Sequence, residues 1–388
     1  MKNITMVCYG GGHVKIIEPL YSELRNNYNI TIFALTSARK YLDNKNIEYL
    51  SFLDFDYLMT DRAYFLGQSA IKNMDIELCD IDESMIYMGL NLLELESKYG
   101  SEKAAEIYKE KGRSCFLPIT VINELFNKTK PDLVITTNSP RAERASLIVA
   151  KEREIPSICI ADNVWIHGGI IDVAKDRLSN YICVLCNSVK NELIKETGIN
   201  NKNIYVTGTP VFDKLKKLKK LKKLKILLAD CDLPKYDPRF PLLSGDEYFG
   251  DKIRTELNRL AIQKKWDVIF RPHPSQKNDY SNYNNVQISN SSEVLNDLLL
   301  DVDVVITAIS TVGIEGKMLN CGLVSLEGTI YDKVCSYSKL GLSTGVYNTS
   351  EIENAIINES KKRNSDLELY ENESIENINI IISEIFDS

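Results

Sequence analysis

The chain of 388 residues has three histidines, each set where a polar side chain could meet a ligand. His273 lies between Pro272 and Pro274 in "IFRPHPSQ" (269–276), directly after an apolar run and Arg271. Each proline fixes its own φ, so the imidazole projects from a stiffened backbone. An imidazole and a guanidinium at a strand end can hydrogen-bond phosphate oxygens, and charge-assisted bonds of this kind contribute about 1.5–3 kcal/mol each. "TAISTVGIEGKMLNCG" (307–322) supplies the complement. Ser310 and Thr311 fall where a strand gives way to a helix, so hydroxyls and open backbone N–H groups can converge on the same anion. Glu315 follows Thr311 by four residues and shares its helical face. A carboxylate there can take both hydroxyls of a ribose, although one early in a helix also complements the dipole.

The second group opens the chain. "YGGGHVK" (9–15) follows an apolar run and starts a helix-period segment. Gly10, Gly11 and Gly12 carry no Cβ and let a ligand approach the backbone, while the helix start offers N–H groups and partial positive charge. Lys15 occupies the last glycine position of G-x-G-x-x-G, and no G-K-[ST] follows, so neither a dinucleotide fingerprint nor a P-loop is present. At the helix start His13 is expected to be neutral and able to accept a proton from an attacking hydroxyl. "CIADNVWIHGG" (159–169) ends another strand with Asp162, Asn163 and His167. Asp162 is the alternative general base, and His167 either lines the site or anchors its loop. In "TTNSPRAERA" (136–145), Asn138 or Ser139 is expected to cap a helix with Pro140 at its first position, with ligand contact as the other reading. "CVLC" (183–186) has C-x-x-C spacing but lies inside an apolar strand without a second pair, which predicts core packing rather than zinc or redox chemistry.

Positioning these groups requires strands that end near one another. Apolar runs at 4–9, 29–35, 47–52, 132–137, 156–161, 181–186 and 204–208 carry hydrophobic residues at nearly every position, the pattern of strands buried on both faces of a parallel sheet. Helical segments fit at 13–27, 140–153 and 187–197, and 53–130 reads as a mostly helical insertion. A second series follows, with strands at 225–230, 267–271, 286–289, 303–308 and 323–328 and helices at 250–264, 293–300, 311–320 and 350–362. Two β-α series predict an α/β protein of two Rossmann-like doubly wound domains facing each other across a cleft. The expected division is 1–208, a basic linker 209–225, a second domain 226–365, and a last helix in 366–388.

Net charge of −7 with pI near 5.3 argues against nucleic acid as a partner. Nine cysteines at irregular spacing read as reduced thiols of a cytoplasmic protein. No apolar run approaches the roughly 18 residues of a membrane span, and the first residues read as a strand rather than a signal peptide. Eight lysines fall within 214–225. They form either a solvated linker or a patch contacting anionic lipid, where each lysine near the surface contributes roughly 1 kcal/mol.

Together these motifs resemble the GT-B glycosyltransferase superfamily over nearly the whole length. "GGGH" and "VTGTPVFDKL" (206–215) are similar to motifs of the peptidoglycan UDP-GlcNAc transferase and the non-hydrolysing UDP-GlcNAc 2-epimerases. "RPHP", "STVGIEG" and "YDK" (331–333) look most like bacterial capsule and surface-polysaccharide transferases. The resemblance implies that His273, Ser310 and Thr311 hold donor phosphates with Arg271 beside them, that Glu315 takes ribose or base, and that His13 serves as base or acceptor contact. It implies a UDP- or CMP-sugar co-substrate, a glycan or lipid-linked acceptor, and no required metal. The segment 229–251 departs from the glycine-rich loop usual at that point. An epimerase or hydrolase on the same scaffold, and a non-catalytic partner subunit, are the competing expectations.

Overall fold

A computed structural model describes residues 1–72, 80–213, 223–237, 240, 242–273, 279–290, 293–361 and 373–387. The chain is α/β and divides into two compact units, Met1–Asp213 with 370–388, and Lys214–Leu369.

The first unit is built on six parallel strands: β1 (Asn3–Cys8), β2 (Asn29–Ala34), β3 (Leu133–Thr137), β4 (Ser157–Ile160), β5 (Tyr181–Val184) and β6 (Ile204–Val206). Their order is β2-β1-β3-β4-β5-β6. Every residue of β3 and β4 is buried, as expected of strands covered on both faces. Helices α1 (Gly12–Leu24), α2 (Ser37–Asp43), α7 (Ala142–Glu152), α8 (Ile170–Lys175) and α9 (Asn187–Thr197) alternate with them. The insertion contributes α3 (Asp61–Ile71), α4 (Ile81–Tyr99), α5 (Ser101–Lys111) and α6 (Ile119–Thr129). Phe33, Phe52, Phe55, Tyr87 and Phe116 tie it to one face of the sheet through ring contacts.

The second unit has six parallel strands: β7 (Lys225–Ala229), β8 (Asp267–Arg271), β9 (Gln287–Ile288), β10 (Val304–Thr307), β11 (Gly322–Leu326) and β12 (Thr344–Val346). They run in the order β12-β11-β10-β7-β8-β9. Helices α10 (Phe249–Gln263), α11 (Leu295–Leu300), α12 (Thr311–Met318) and α13 (Ile352–Lys361) complete it. The last helix, α14 (Ser374–Asp387), places Ile378, Ile381, Ile382 and Ile385 in the core of the first unit beside Met6, Ile17 and Leu20.

In both sheets the chain leaves its first strand for one side and later returns to build on the other. The reversals fall between β1 and β3 and between β7 and β10. Ligands of open α/β sheets bind outside the carboxyl ends of strands at such switch points. His13 follows β1 and Thr137 ends β3; Asp230 follows β7 and Ser310 follows β10.

Three expectations are corrected. Residues 47–52 are not a strand. Only Leu50 bridges to Phe33, because the Ser51 hydroxyl accepts from Leu53 N (3.2 Å) and Asp54 accepts from Ser51 N (2.8 Å), a capping box that turns the chain into a short 3-10 helix. The helix expected from Pro140 begins at Ala142, with Arg141 at its N-cap and no side-chain cap. Strand β12 was not anticipated; three residues give too short a pattern to read. The lysine-rich segment lies outside the described residues over 214–222. Beyond it, Lys223 pairs with Asp267 at 2.5 Å and Lys225 pairs with Asp301, so two of its eight lysines are engaged by acidic partners. Among the described residues no helix is long and apolar enough to cross a membrane.

Candidate functional site

In the first unit the polar residues gather at the β1/β3 switch point. Gly10 is required by packing, since an added Cβ would lie 2.0 Å from the Ser37 hydroxyl. Gly11 is required by its φ of 71° at the N-cap of α1. Beside Gly12 a Cβ would meet nothing within 4 Å, so the backbone is open there. This turn places His13 in the first turn of α1. Its Nδ1 lies 2.8 Å from the Thr137 hydroxyl, and its Nε2 faces Asp162 Oδ2 at 3.8 Å. The His13 and Asp162 side chains are 20% and 22% exposed, so both are reachable.

Asp162 is held from behind. Its backbone N–H donates to Asn138 Oδ1 at 2.9 Å, and its Oδ1 accepts from Asn163 Nδ2 at 2.7 Å, which turns Oδ2 toward His13. Asn138 therefore braces the β4 loop instead of capping α7. Ser139 is buried, and its hydroxyl finds no hydrogen-bond partner. Pulling these two residues inward is what delays the helix to Ala142. Gly169, with φ of 118°, packs onto the same loop, where a Cβ would stand 2.3 Å from the Asn138 carbonyl oxygen. His167 is exposed in a short 3-10 turn, and the charged neighbour it influences is Glu192.

Glu143 was not singled out from the sequence. It is fully buried in α7. Its Oε1 accepts the Tyr9 N–H at 2.7 Å and the Thr137 hydroxyl at 3.5 Å, while Oε2 has no hydrogen-bond partner. Burial pushes its pKa up; the His13 ring, backbone N–H groups and the Arg141 guanidinium pull the other way. Arg141 stacks 3.8 Å from the Tyr9 ring centre and donates to the Tyr9 hydroxyl at 3.1 Å. A glutamate in the first turn of a helix reads from sequence as ordinary dipole complementation, so nothing local marked it.

The cysteines of "CVLC" are buried. Burial pushes the Cys183 thiol up to about 12, which leaves it protonated and poorly nucleophilic.

In the second unit Ser310 caps α12, its hydroxyl accepting from Val312 N at 3.3 Å. The buried Tyr337 hydroxyl fixes this turn by donating to the carbonyls of Ile309 (2.9 Å) and Ser310 (3.3 Å). Thr311 is exposed at the helix start, and Glu315 is half-buried one turn on. His273 is exposed two residues beyond β8. Only β7 separates β8 from β10, so the ends of these strands are two strand spacings apart, about 9–10 Å. Pro274 lies outside the described residues, so the brace is described on the Pro272 side alone. Arg271 is committed elsewhere: Nη1 donates to the Ser289 hydroxyl and Nη2 to the Glu293 carbonyl, both at 3.0 Å. Its guanidinium anchors the β9 segment, a role the sequence reading did not include.

Two buried carboxylates of this unit also escaped the sequence reading. Asp230 follows β7 and accepts both short contacts of Arg254 Nη1 (2.9 and 2.8 Å) and the Tyr280 hydroxyl (2.7 Å). Glu327 follows β11 and accepts from Ser325, Ser336, Ser338 and Tyr347 side chains and from Ser338 N, all between 2.6 and 2.9 Å.

No family model matches the chain, and no curated protein matches it by sequence. Solved structures do resemble it. UDP-GlcNAc 2-epimerase from Methanocaldococcus jannaschii aligns with a TM-score of 0.62 at 14% identity, covering 99% of this chain and 100% of that one. UDP-GlcNAc 2-epimerase from Neisseria meningitidis, solved bound to UDP-GlcNAc, aligns with a TM-score of 0.60 at 12% identity and 100% of both chains. A glycotransferase of kitacinnamycin gives 0.54 at 11% identity, covering 99% and 95%. The fold is therefore the GT-B-like one, two Rossmann-like units of parallel sheet, shared by epimerases and a glycosyltransferase. At these identities the likeness establishes the fold alone.

Proposed function

We propose that the protein is a GT-B enzyme that transfers a sugar from a UDP-sugar to a hydroxyl acceptor. The observation that carries this reading is the pairing of His13 with Asp162 at the switch point of the first unit, with Nδ1 on Thr137 and Nε2 turned toward a carboxylate 3.8 Å away. One reachable base at a helix start suits the removal of one proton from one hydroxyl. In this reading His13 is the base, Asp162 its partner or alternative, and Gly11, Gly12, Asn138 and Ser139 shape the acceptor side. The donor phosphates are taken by His273, Ser310 and Thr311, and its ribose by Glu315. Arg271 supports the β8 end rather than touching phosphate. The charge on the departing nucleotide is met by imidazole, hydroxyls and the α12 start, so the scheme requires no metal. UDP is preferred over CMP because solved neighbours carry UDP or UDP-GlcNAc. The acceptor is a glycan or lipid-linked glycan.

Reversible 2-epimerisation of UDP-GlcNAc is the second reading, favoured by the likeness to several 2-epimerases. The two are separated by incubating the protein with UDP-GlcNAc alone and watching carbon 2 by NMR. Inversion there without any acceptor would replace transfer by epimerisation. A thermal-shift series with UDP, CMP, CDP and GDP identifies the donor class, since a ligand at 100 times its Kd stabilises by about 2.7 kcal/mol. His273→Ala is expected to abolish the UDP shift and His13→Ala to leave it intact. An unchanged shift in the first variant would remove the phosphate assignment.

A further inference from the structure

We infer that Glu143 and Thr137 are positioning residues that fix the tautomer of His13, placing its proton on Nδ1 and leaving Nε2 as the proton-accepting atom beside Asp162. The kinetic consequence rests on the transferase reading above; the tautomer itself does not.

The argument is a count of donors. The Thr137 hydroxyl has one proton and two neighbours able to accept it, His13 Nδ1 at 2.8 Å and Glu143 Oε1 at 3.5 Å. Glu143 is fully buried, and its Oε2 already lacks a partner. If the hydroxyl turned to the imidazole, Oε1 would keep only the Tyr9 N–H among the donors outside its own helix. A buried carboxylate left short of donors is costly, whereas the His13 side chain is 20% exposed and less dependent on a protein partner. The hydroxyl proton therefore belongs to Glu143, and the hydroxyl oxygen accepts from Nδ1–H. The lone pair of Nε2 then faces Asp162 Oδ2 at 3.8 Å, a distance too long for a direct hydrogen bond.

This arrangement decides which of two groups is the base. With the proton on Nε2, His13 would donate to an incoming hydroxyl and Asp162 would have to remove its proton. With the proton on Nδ1, the acceptor O–H breaks to Nε2, the freed oxygen bonds to the anomeric carbon, and the sugar–phosphate bond breaks with its electron pair leaving on the nucleotide. The imidazolium so formed lies between Asp162 and the buried relay.

The test is the 15N spectrum of imidazole-labelled protein at about pH 8.5, above the ordinary histidine range. With three histidines in the chain, His13→Asn identifies the relevant signal. The expected wild-type pattern is the Nδ1-protonated tautomer. Glu143→Gln, whose amide oxygen still accepts from Thr137, should retain it. Glu143→Leu, which frees the hydroxyl to turn to Nδ1, should move the proton to Nε2. Thr137→Val is close in shape and should lose the Nδ1 preference even if the leucine variant does not fold, with unmoved His167 and His273 signals reporting an intact fold. A wild-type ring protonated at Nε2, or a valine variant with an unchanged tautomer, would overturn the inference. In turnover, Thr137→Val should fall about 10- to 100-fold while the UDP thermal shift stays. The Nδ1 tautomer in a protein that transfers nothing would support the relay and count against the transferase reading instead.

Discussion

Buried carboxylates set the behaviour of this protein at the scale of single residues. Glu327 is 1% exposed and accepts hydrogen bonds from four side chains and one backbone N–H with no cation among them. Burial alone would push its pKa up, and the donors more than offset this, holding it below the ordinary glutamate value. A depressed folded-state pKa means stability that is present above the unfolded value, about 4.3, and lost as pH falls through the folded one. Glu327→Ala leaves several donors facing a cavity and is expected to cost about 3 kcal/mol or more at pH 7. In denaturant titrations the gap between wild type and Glu327→Gln should narrow as pH drops below about 4; a constant gap would contradict the charged assignment. Glu143 contrasts with it. Burial dominates there and moves its pKa up, because one of its oxygens has no donor.

At the scale of elements, the loops are positioned by how closely helices approach strands. In α12 a Cβ on Gly313 would stand 2.7 Å from Thr307 Cγ2, and one on Gly316 2.5 Å from Val305 Cγ2. The helix thus lies directly on β10, and its N-terminus is carried to the strand's end. Gly316→Ala should push the helix off the sheet, costing about 1–3 kcal/mol and weakening nucleotide binding together with stability. Equal UDP affinity in this variant would show that the α12 start does not contact the ligand. Gly169→Ala should act on the other unit, through its φ of 118° and the Asn138 carbonyl. Turnover should fall while the UDP thermal shift persists, because Asn138 holds Asp162.

At the scale of the whole molecule, the first unit is assembled from both ends of the chain. Asp213 accepts Ser374 N, the Ser374 hydroxyl and Ile375 N at 3.1, 2.5 and 2.7 Å, capping α14. Four isoleucines of that helix enter the core built on β1 and β2. Ile382→Ala is expected to cost about 2–5 kcal/mol. The loss should appear as faster hydrogen exchange in β1 and β2, with β7–β11 protected as before; uniform loss across both units would mean that they unfold together. The lysine stretch 214–225 is proposed to hold the protein at anionic membranes near a lipid-linked acceptor. Lys→Gln changes at 216, 217, 219 and 220, which spare the ion-paired Lys223 and Lys225, should then release it from vesicles containing phosphatidylglycerol. Unaltered sedimentation would leave that stretch as a linker.

The amino-acid sequence by itself determined the α/β class, every strand but β12, the helices apart from α2, α8 and the individual helices of the insertion, and the loops carrying His13, Asp162, His273, Ser310 and Thr311, because buried parallel strands are written as continuous apolar runs and helix starts as local polar and glycine signals. It misread 47–52, where a nearly continuous apolar run outweighed the Ser51–Asp54 cap, and 138–141, where the side chains expected to cap a helix are drawn inward by the β4 loop. Only the tertiary structure decided the strand order that brings the ends of β1 and β3 together, the diversion of Arg271 to Ser289 and Glu293, and the burial of Glu143, Asp230 and Glu327. These are contacts between segments distant along the chain, and no local pattern of residue types encodes which acidic side chain will be sealed away from water.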